Sequence, residues 1–335
     1  MELFRGLESL KHPGQRAVVT VGMFDGMHIA HQRLIQSVLR LAHSIQGTSV
    51  VVTFDPDPQT VLDSAHAQPI LMPLSIRLGY LERFGVDRVV VIPFTRRFSK
   101  LRGEQFVREI LIRRLKAVVL VVGDAFLFGR DRQGDMALLK QLGPRHDMRV
   151  VALQPVRRAG ELVSSSRIRR LIQQGHLSQA RQLLGRPATL YGTVVRGVGR
   201  GRRLGLPTAN IALSSQVTPA QGVYAVIMQD EPVYSRRARE ISHRRWTGVM
   251  NLGVRPSFGG GAVVCEVHVL NFSGRLYGRK VSVSLLGKLR GERCFEDPQA
   301  LVRQVRRDIA RSRKIIRRFL YPSLTDARMR WRNDW

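Results

Sequence analysis

The sequence predicts an α/β domain, a parallel sheet with helices on both faces, followed by a small antiparallel β-barrel with a C-terminal helix. Near-continuous Val/Ile runs alternate with helically spaced segments through the first half, the texture of strands buried on both faces. From about residue 185 come short alternating strands with many glycines and no helices between them, as a small barrel requires. One amphipathic segment then closes the pattern. At 335 residues the chain suits two domains, placed at 1–184 and 185–322 with a basic tail at 323–335.

The first-half strands are read at Ala17–Val21, Ser49–Phe54, Arg88–Ile92, Ala117–Val122 and, more weakly, Met148–Leu153. Leu34, Ile35, Val38, Leu39 and Leu41 mark one helix, and Phe106, Val107, Ile110, Leu111 and Leu115 another. Leu171 to Leu184 reads as a helix ended by Gly185-Arg186-Pro187. Barrel strands are expected at Tyr191–Val195, Gly222–Met228, Trp246–Met250, Val263–Leu270 and Lys280–Leu286. Asp297 can cap the last helix, with Pro298 at its first position and Leu301, Val302, Val305 and Ile309 as its apolar stripe.

Lys and Arg number 55 against 25 Asp and Glu, a formal charge of +30, and 48 of the 55 are arginine. Such charge marks a binder of nucleic acid or anionic membrane, or a general enrichment in arginine, and it draws anionic small substrates such as nucleotides. The arginines spread along the whole chain. No helix-turn-helix or zinc-finger pattern accompanies them, so no specific nucleic-acid role is expected, only weak nonspecific binding. Cys265 and Cys294 form no metal-like pair and no disulfide framework. No apolar run reaches the length of a membrane span and the N-terminus carries no signal pattern. A cytoplasmic setting is expected.

The strongest local signal is Gly22-Met23-Phe24-Asp25-Gly26-Met27-His28-Ile29-Ala30-His31, directly after the first strand and opening the first helix. Glycine permits close backbone approach, and a helix N-terminus attracts phosphate. His28 and His31, three apart, could hydrogen-bond a triphosphate and stabilise charge developing at its α-phosphorus. In the second half, Gly201-Arg202-Arg203-Leu204-Gly205-Leu206-Pro207-Thr208-Ala209-Asn210 lacks the GxxxxGK[ST] spacing of a P-loop. It offers instead a hydroxyl and an amide oxygen, hard ligands suited to Mg²⁺. On the strand around Cys265-Glu266-Val267-His268, Val263, Cys265, Val267 and Val269 take one face, and Glu266 and His268 the other. A carboxylate so placed can act as a general base.

These segments resemble the bacterial bifunctional riboflavin kinase/FMN adenylyltransferase (FAD synthetase) family. The histidine segment is similar to the HxGH motif of nucleotidyltransferases, and the Gly201–Asn210 run to the riboflavin kinase signature GRxLGFPTAN, with Leu206 for Phe. Thr53-Phe54-Asp55-Pro56-Asp57-Pro58, Val122-Gly123-Asp124-Ala125-Phe126-Leu127-Phe128-Gly129, Val163-Ser164-Ser165-Ser166-Arg167-Ile168-Arg169 and Asn251-Leu252-Gly253-Val254-Arg255-Pro256-Ser257 also match. The resemblance implies a Rossmann-like nucleotidyltransferase domain and a kinase barrel, with ATP as co-substrate, Mg²⁺ as cofactor, and riboflavin and FMN as further ligands. It implies that His28 and His31 hold the ATP phosphates together with Gly22, Phe24, Asp25 and Gly26, and that Ser164, Ser165 and Arg169 serve the departing pyrophosphate. Asp124, Phe126, Phe128, Asn251 and Arg255 would contact flavin. Gly201, Arg202, Gly205 and Pro207 would bind nucleotide, Thr208 and Asn210 would ligate the metal, and Glu266 would be the catalytic base.

Three positions depart from the family pattern. Ala30 replaces the glycine of HxGH, Ala125 stands where Asp or Asn is usual, and Leu127 where Arg is usual. Asp57 occupies a place that is often histidine. A riboflavin kinase with an impaired adenylyltransferase domain is therefore the first alternative, and a nucleic-acid-binding protein on this fold the second.

Overall fold

The computed structural model describes residues 1–10, 16–197, 199, 201, 204–231, 244–255 and 262–321, without the side chains of 254, 255 and 262. Two compact units emerge: Met1–Pro69 with Leu74–Ser164, and Ile70–Pro73 with the chain from Ser165 onward. This division falls before the Gly185 break, because the two helices after Ser164 pack on each other and the second of them on a barrel strand.

The first unit is built on a six-stranded sheet: β1 (Glu2–Arg5), β2 (Ala17–Val21), β3 (Thr48–Asp55), β4 (Arg88–Pro93), β5 (Ala117–Gly123) and β6 (Arg149–Leu153). Its order is β1-β4-β3-β2-β5-β6, and every neighbouring pair is parallel. β2 is buried at all five positions. Val18 packs with Val119, Val121, Val38 and Ala42 on one face, while Val19 and Val21 pack with Val50, Val52, Val90, Phe106 and Leu111 on the other. Burial on both faces is what removes polar alternation from these strands. β1 escapes a sequence reading because it is four residues long with exposed ends.

Helix α1 (Ile29–Ser44) follows β2, and α2 (Pro58–Leu62) and α3 (Leu74–Arg83) follow β3. Short α4 (Arg96–Ser99) and α5 (Gly103–Gln105) lead into Phe106–Arg114, which is wound as a π-helix. It ends with the Leu115 N–H donating to the Ile110 carbonyl, five residues back, at 2.9 Å. Phe106, Val107, Ile110 and Leu111 are buried together. Spacings of one, four and five share a face in either winding, so the apolar pattern predicted a helix but not its pitch. α6 (Met136–Leu142) precedes β6, and a two-stranded ribbon, β7 (Arg157–Arg158) with β8 (Glu161–Leu162), ends the unit.

In the second unit the expected single helix over 171–184 is two, α7 (Ser165–Gln173) and α8 (Leu177–Leu184). Gly175, at φ +80°, separates them in a conformation a helix interior does not allow. Six antiparallel strands then close a barrel in the order β10-β13-β12-β11-β14-β9. They are β9 (Thr189–Val195), β10 (Ala209–Leu213), β11 (Gly222–Asp230), β12 (Arg245–Arg255), β13 (Ala262–Val269) and β14 (Lys280–Arg290). β10 is not among the strands expected from the sequence: Ala209 and Asn210, at the end of the glycine-rich run, begin a strand. Registered neighbours such as Tyr224 with Met250, Met250 with Val267, and Cys265 with Ile211 alternate inward and are buried.

Helix α9 (Pro298–Leu320) lies on β11, β12 and β14. Asp297 caps it, accepting from the Ala300 N–H at 2.7 Å. Its deepest residues are Asp308, Ser312 and Ile316, whereas Leu301, Val302, Val305 and Ile309 are half-buried. Two polar residues sit deepest because the barrel meets them with polar partners. Ser312 Oγ donates to the Gly248 carbonyl at 3.1 Å, and Asp308 pairs with Arg290 at 2.9 Å. Replacing Asp308 by Ala strands a largely covered guanidinium. The second unit should lose about 3–5 kcal/mol, read as a lower denaturation midpoint, while Arg303→Ala, on the exposed face, should change it by less than about 0.5 kcal/mol.

Candidate functional site

In the first unit the site begins where β2 ends. Phe24, Gly26 and Met27 all take positive φ, at +52°, +78° and +42°. A left-handed Phe or Met is costly by about 1–3 kcal/mol and persists only where surroundings impose it. Phe24 is fully buried and meets the His31 ring edge-on at 5.3 Å. Its side chain is therefore part of the packing beneath His31. Asp25 is buried too.

His28 is the N-cap of α1, its Nδ1 accepting from the His31 N–H at 3.4 Å. That bond places the imidazole proton on Nε2, where it can donate outward. The His28 and His31 rings stack with centroids 3.6 Å apart and planes 16° from parallel. Burial, with the charges of His28 and Arg77 beside it, holds the His31 pKa well below the usual imidazole range. Its Nδ1 is buried without a hydrogen-bond partner in the structure. His31 is thus neutral at rest.

Arg77, on α3, is a residue the sequence reading missed. It is only 4% exposed. Its NH1 donates to the Met23 carbonyl and to Thr53 Oγ1 at 3.3 Å. Burial lowers its pKa against the opposing pull of Asp25, Asp57 and Asp55. An Arg inside an otherwise ordinary amphipathic helix gives no signal of what it reaches.

Of the residues expected at flavin in this unit, Asp124 is exposed, its N–H donating to the Leu153 carbonyl at 3.0 Å. Phe126 is half-buried and stacked on Phe128, with centroids 5.4 Å apart. Phe128 belongs to the core, packed against Phe106 and the backbone of Gly134. A second aromatic group was not foreseen: Phe54, Phe94 and Phe98 are half-buried and meet pairwise at 5.7, 5.9 and 5.6 Å near the carboxyl ends of β3 and β4. Ala125 and Leu127 are exposed. Ser164 closes the first unit, and half-buried Ser165 and Arg169 lie on α7 of the second.

In the second unit the strand register brings the candidates together. Asn210 on β10 lies opposite Glu266 on β13, and Glu266 opposite Asn251 on β12. Cross-strand partners share a face, and the adjacent Cys265, Val267, Met250 and Leu252 point into the barrel, so this polar rung faces out. Val263, expected to be covered like Cys265 and Val267, is 50% exposed at the strand end. His268 Nδ1 bonds the Pro207 carbonyl at 2.9 Å, tying the approach to β10 onto the strand that carries Glu266. The Gly201 carbonyl accepts from the N–H groups of Leu204 and Leu206 at 3.1 and 2.8 Å, and Gly205 takes φ +71°. A Cβ on Gly201 would meet the Leu206 carbonyl, and one on Gly197 the Asn210 amide. Glu292 lies against Gly253, next but one to Asn251 on β12. Arg202 and the side chain of Arg255 lie outside the described residues, as does the basic tail from 322.

A Rossmann-like sheet with a histidine pair at its first helix, joined to a small closed barrel carrying an outward acid-and-amide rung, defines a nucleotide-using transferase of two catalytic units. The FAD synthetase family matches residues 10–167 and the riboflavin kinase family residues 184–316. A bifunctional riboflavin kinase/FMN adenylyltransferase of Pseudomonas fluorescens is 36% identical over 94% of this chain and 98% of its own. That of Escherichia coli K12 is 35% identical over 92% and 96%. The chain belongs to the bifunctional riboflavin kinase/FMN adenylyltransferase family. A solved structure named as a macrolide-efflux protein of Streptococcus pneumoniae superposes with a TM-score of 0.81 at 28% identity, over 93% of this chain and 99% of that one. No helix among the described residues is long and apolar enough to cross a membrane.

The His31 shift has a consequence for stability. A histidine held neutral in the fold contributes stability that is fully present above the ordinary imidazole pKa and is lost as pH falls from there toward its depressed folded value. His31→Gln, which cannot take up that proton, should flatten the acid side of the melting temperature against pH. A wild-type-like slope in the variant would assign the effect to another group.

Proposed function

We propose that the second unit phosphorylates riboflavin with ATP to give FMN, and that the first transfers AMP from ATP to FMN, giving FAD and pyrophosphate. The single observation that carries this reading is the Asn210–Glu266–Asn251 rung beside the glycine-rich approach to β10. Glu266 takes the proton of the riboflavin 5′-hydroxyl as that oxygen bonds the γ-phosphorus and the bond to ADP breaks. Thr208 and Asn210 present a hydroxyl and an amide oxygen, a hard donor set that fits Mg²⁺. That ion, when bound, neutralises phosphoryl charge. Asn251 orients the acceptor, and Gly197 leaves room for the Asn210 amide.

In the first unit an FMN phosphate oxygen attacks the α-phosphorus of ATP and pyrophosphate leaves. His28, its proton fixed on Nε2 by the cap bond, donates to the phosphate oxygens, and His31 stacks behind it. Phe126 and the Phe54, Phe94 and Phe98 group supply aromatic surface for the flavin ring system. The reading with kinase activity alone is favoured by exposed Ala125 and Leu127, where the family pattern carries polar side chains. Product analysis of the purified chain with riboflavin and Mg-ATP decides between them: accumulation of FAD supports two activities, and FMN as end product supports one.

Glu266→Gln should lower riboflavin phosphorylation by about 10²–10⁴-fold and leave FAD formation from supplied FMN intact. His28→Ala should do the reverse, by about ten- to a hundredfold. Gly197→Ala should impair only the phosphorylation, by displacing Asn210. Wild-type FMN production by Glu266→Gln would remove the base assignment.

A further inference from the structure

We propose that Arg77 is a positioning residue for adenylyl transfer: its grip on the Met23 carbonyl sets the backbone path that presents the His28–His31 pair. The inference rests on the adenylyl-transfer reading of the first unit. Side chains from two different helices hold the turn at both ends. Arg77 NH1 holds the Met23 carbonyl, and Gln32 Nε2 holds the Met27 carbonyl at 2.8 Å. Between these points lie Phe24 and Gly26, and Met27 itself, all at positive φ. Such a path needs outside support. In a trans peptide the N–H opposes the C=O, so each grip also turns the next amide, of Phe24 and of His28, to the opposite side. Thr53 Oγ1 receives the same NH1 at 3.3 Å and reaches the Met23 carbonyl at 3.4 Å. One guanidinium therefore joins the ends of β2 and β3, the edge where ligands of such sheets bind.

The charge matters as well as the grip. Arg77 keeps a cation beside the stacked imidazoles and is itself surrounded by Asp25, Asp55 and Asp57. Arg77 and His28 are the charges that act on His31. Removing the cation takes away a charge that disfavours protonation of His31.

The test compares Arg77→Met and Arg77→Lys in the full chain, assaying FAD formation from FMN and Mg-ATP, with riboflavin phosphorylation by the same preparations as the internal standard. Arg77→Met should lower kcat for FAD formation about 100-fold, the scale of a misplacement of about 1 Å. It should also move the acid limb of the pH profile to higher pH and leave riboflavin phosphorylation unchanged. Arg77→Lys, which keeps the charge but not the fork, should hold the acid limb in place and restore part of kcat. Wild-type kcat and acid limb in both variants overturn the proposal. If Arg77→Met also loses riboflavin phosphorylation, Arg77→Lys decides: reduced FAD formation with intact phosphorylation supports the role, and unchanged FAD formation overturns it. Loss of both activities in both variants also overturns it, because Arg77 then serves only the fold. A wild-type chain that makes FMN but no FAD is a distinct result, and refutes the adenylyl-transfer reading itself.

Discussion

Asn210, Glu266 and Asn251 share one rung across three strands of a closed barrel, and the kinase role proposed for the second unit depends on that register. It is held by apolar burial rather than by the polar residues themselves. Cys265 and Val267 flank Glu266 and fill the barrel with Met250, Leu252 and Ile211. Slipping β13 by one residue would turn these outward and drive Glu266 into the apolar interior. An unpaired buried carboxylate is expensive enough to exclude that arrangement. The acid is thus aimed by its neighbours' hydrophobicity, and closure of the barrel leaves no free edge along which β10 or β13 could shift.

The first unit positions its candidate site residues differently. Its polar groups sit on a strained turn between a fully buried strand and a helix N-terminus. Here the backbone is forced into place by buried contacts: Phe24 under His31, Arg77 on Met23, Gln32 on Met27. Stacking two imidazoles at 3.6 Å also discourages protonation of both, because like charges so close repel strongly where water is scarce. A rung of strands provides register, and a clamped turn provides direction. In the proposed reading these devices serve the γ- and the α-phosphorus of ATP.

The surplus of cations fits neither device closely. Arg303, Arg306, Arg307, Arg311, Arg313, Lys314, Arg317 and Arg318 lie on the exposed side of α9, on the helix whose buried side holds Asp308 and Ser312. Exposed charges of one sign repel each other, but at physiological salt they are screened within about 8 Å. The helix tolerates them because its packing against β11, β12 and β14 outweighs a few tenths of a kcal/mol per repulsive pair.

The fold class, five of the six strands of each sheet and both signature segments were legible in the sequence, because buried strands and amphipathic helices write their burial into periodicity and glycine-rich turns into composition. β1 was too short to carry a pattern, and β10 was hidden because its first residues, Ala209 and Asn210, belong to the glycine-rich run. Glu266 could be assigned to an outward face from alternation alone. That Asn210 and Asn251 flank it, that Phe128 is core while Phe54, Phe94 and Phe98 cluster, and that Arg77 reaches Met23 across 54 positions were decided only in three dimensions. Periodicity records which face of an element is buried. It carries no record of which distant side chain that face meets, and the clamped turn and the polar rung are both made of such meetings.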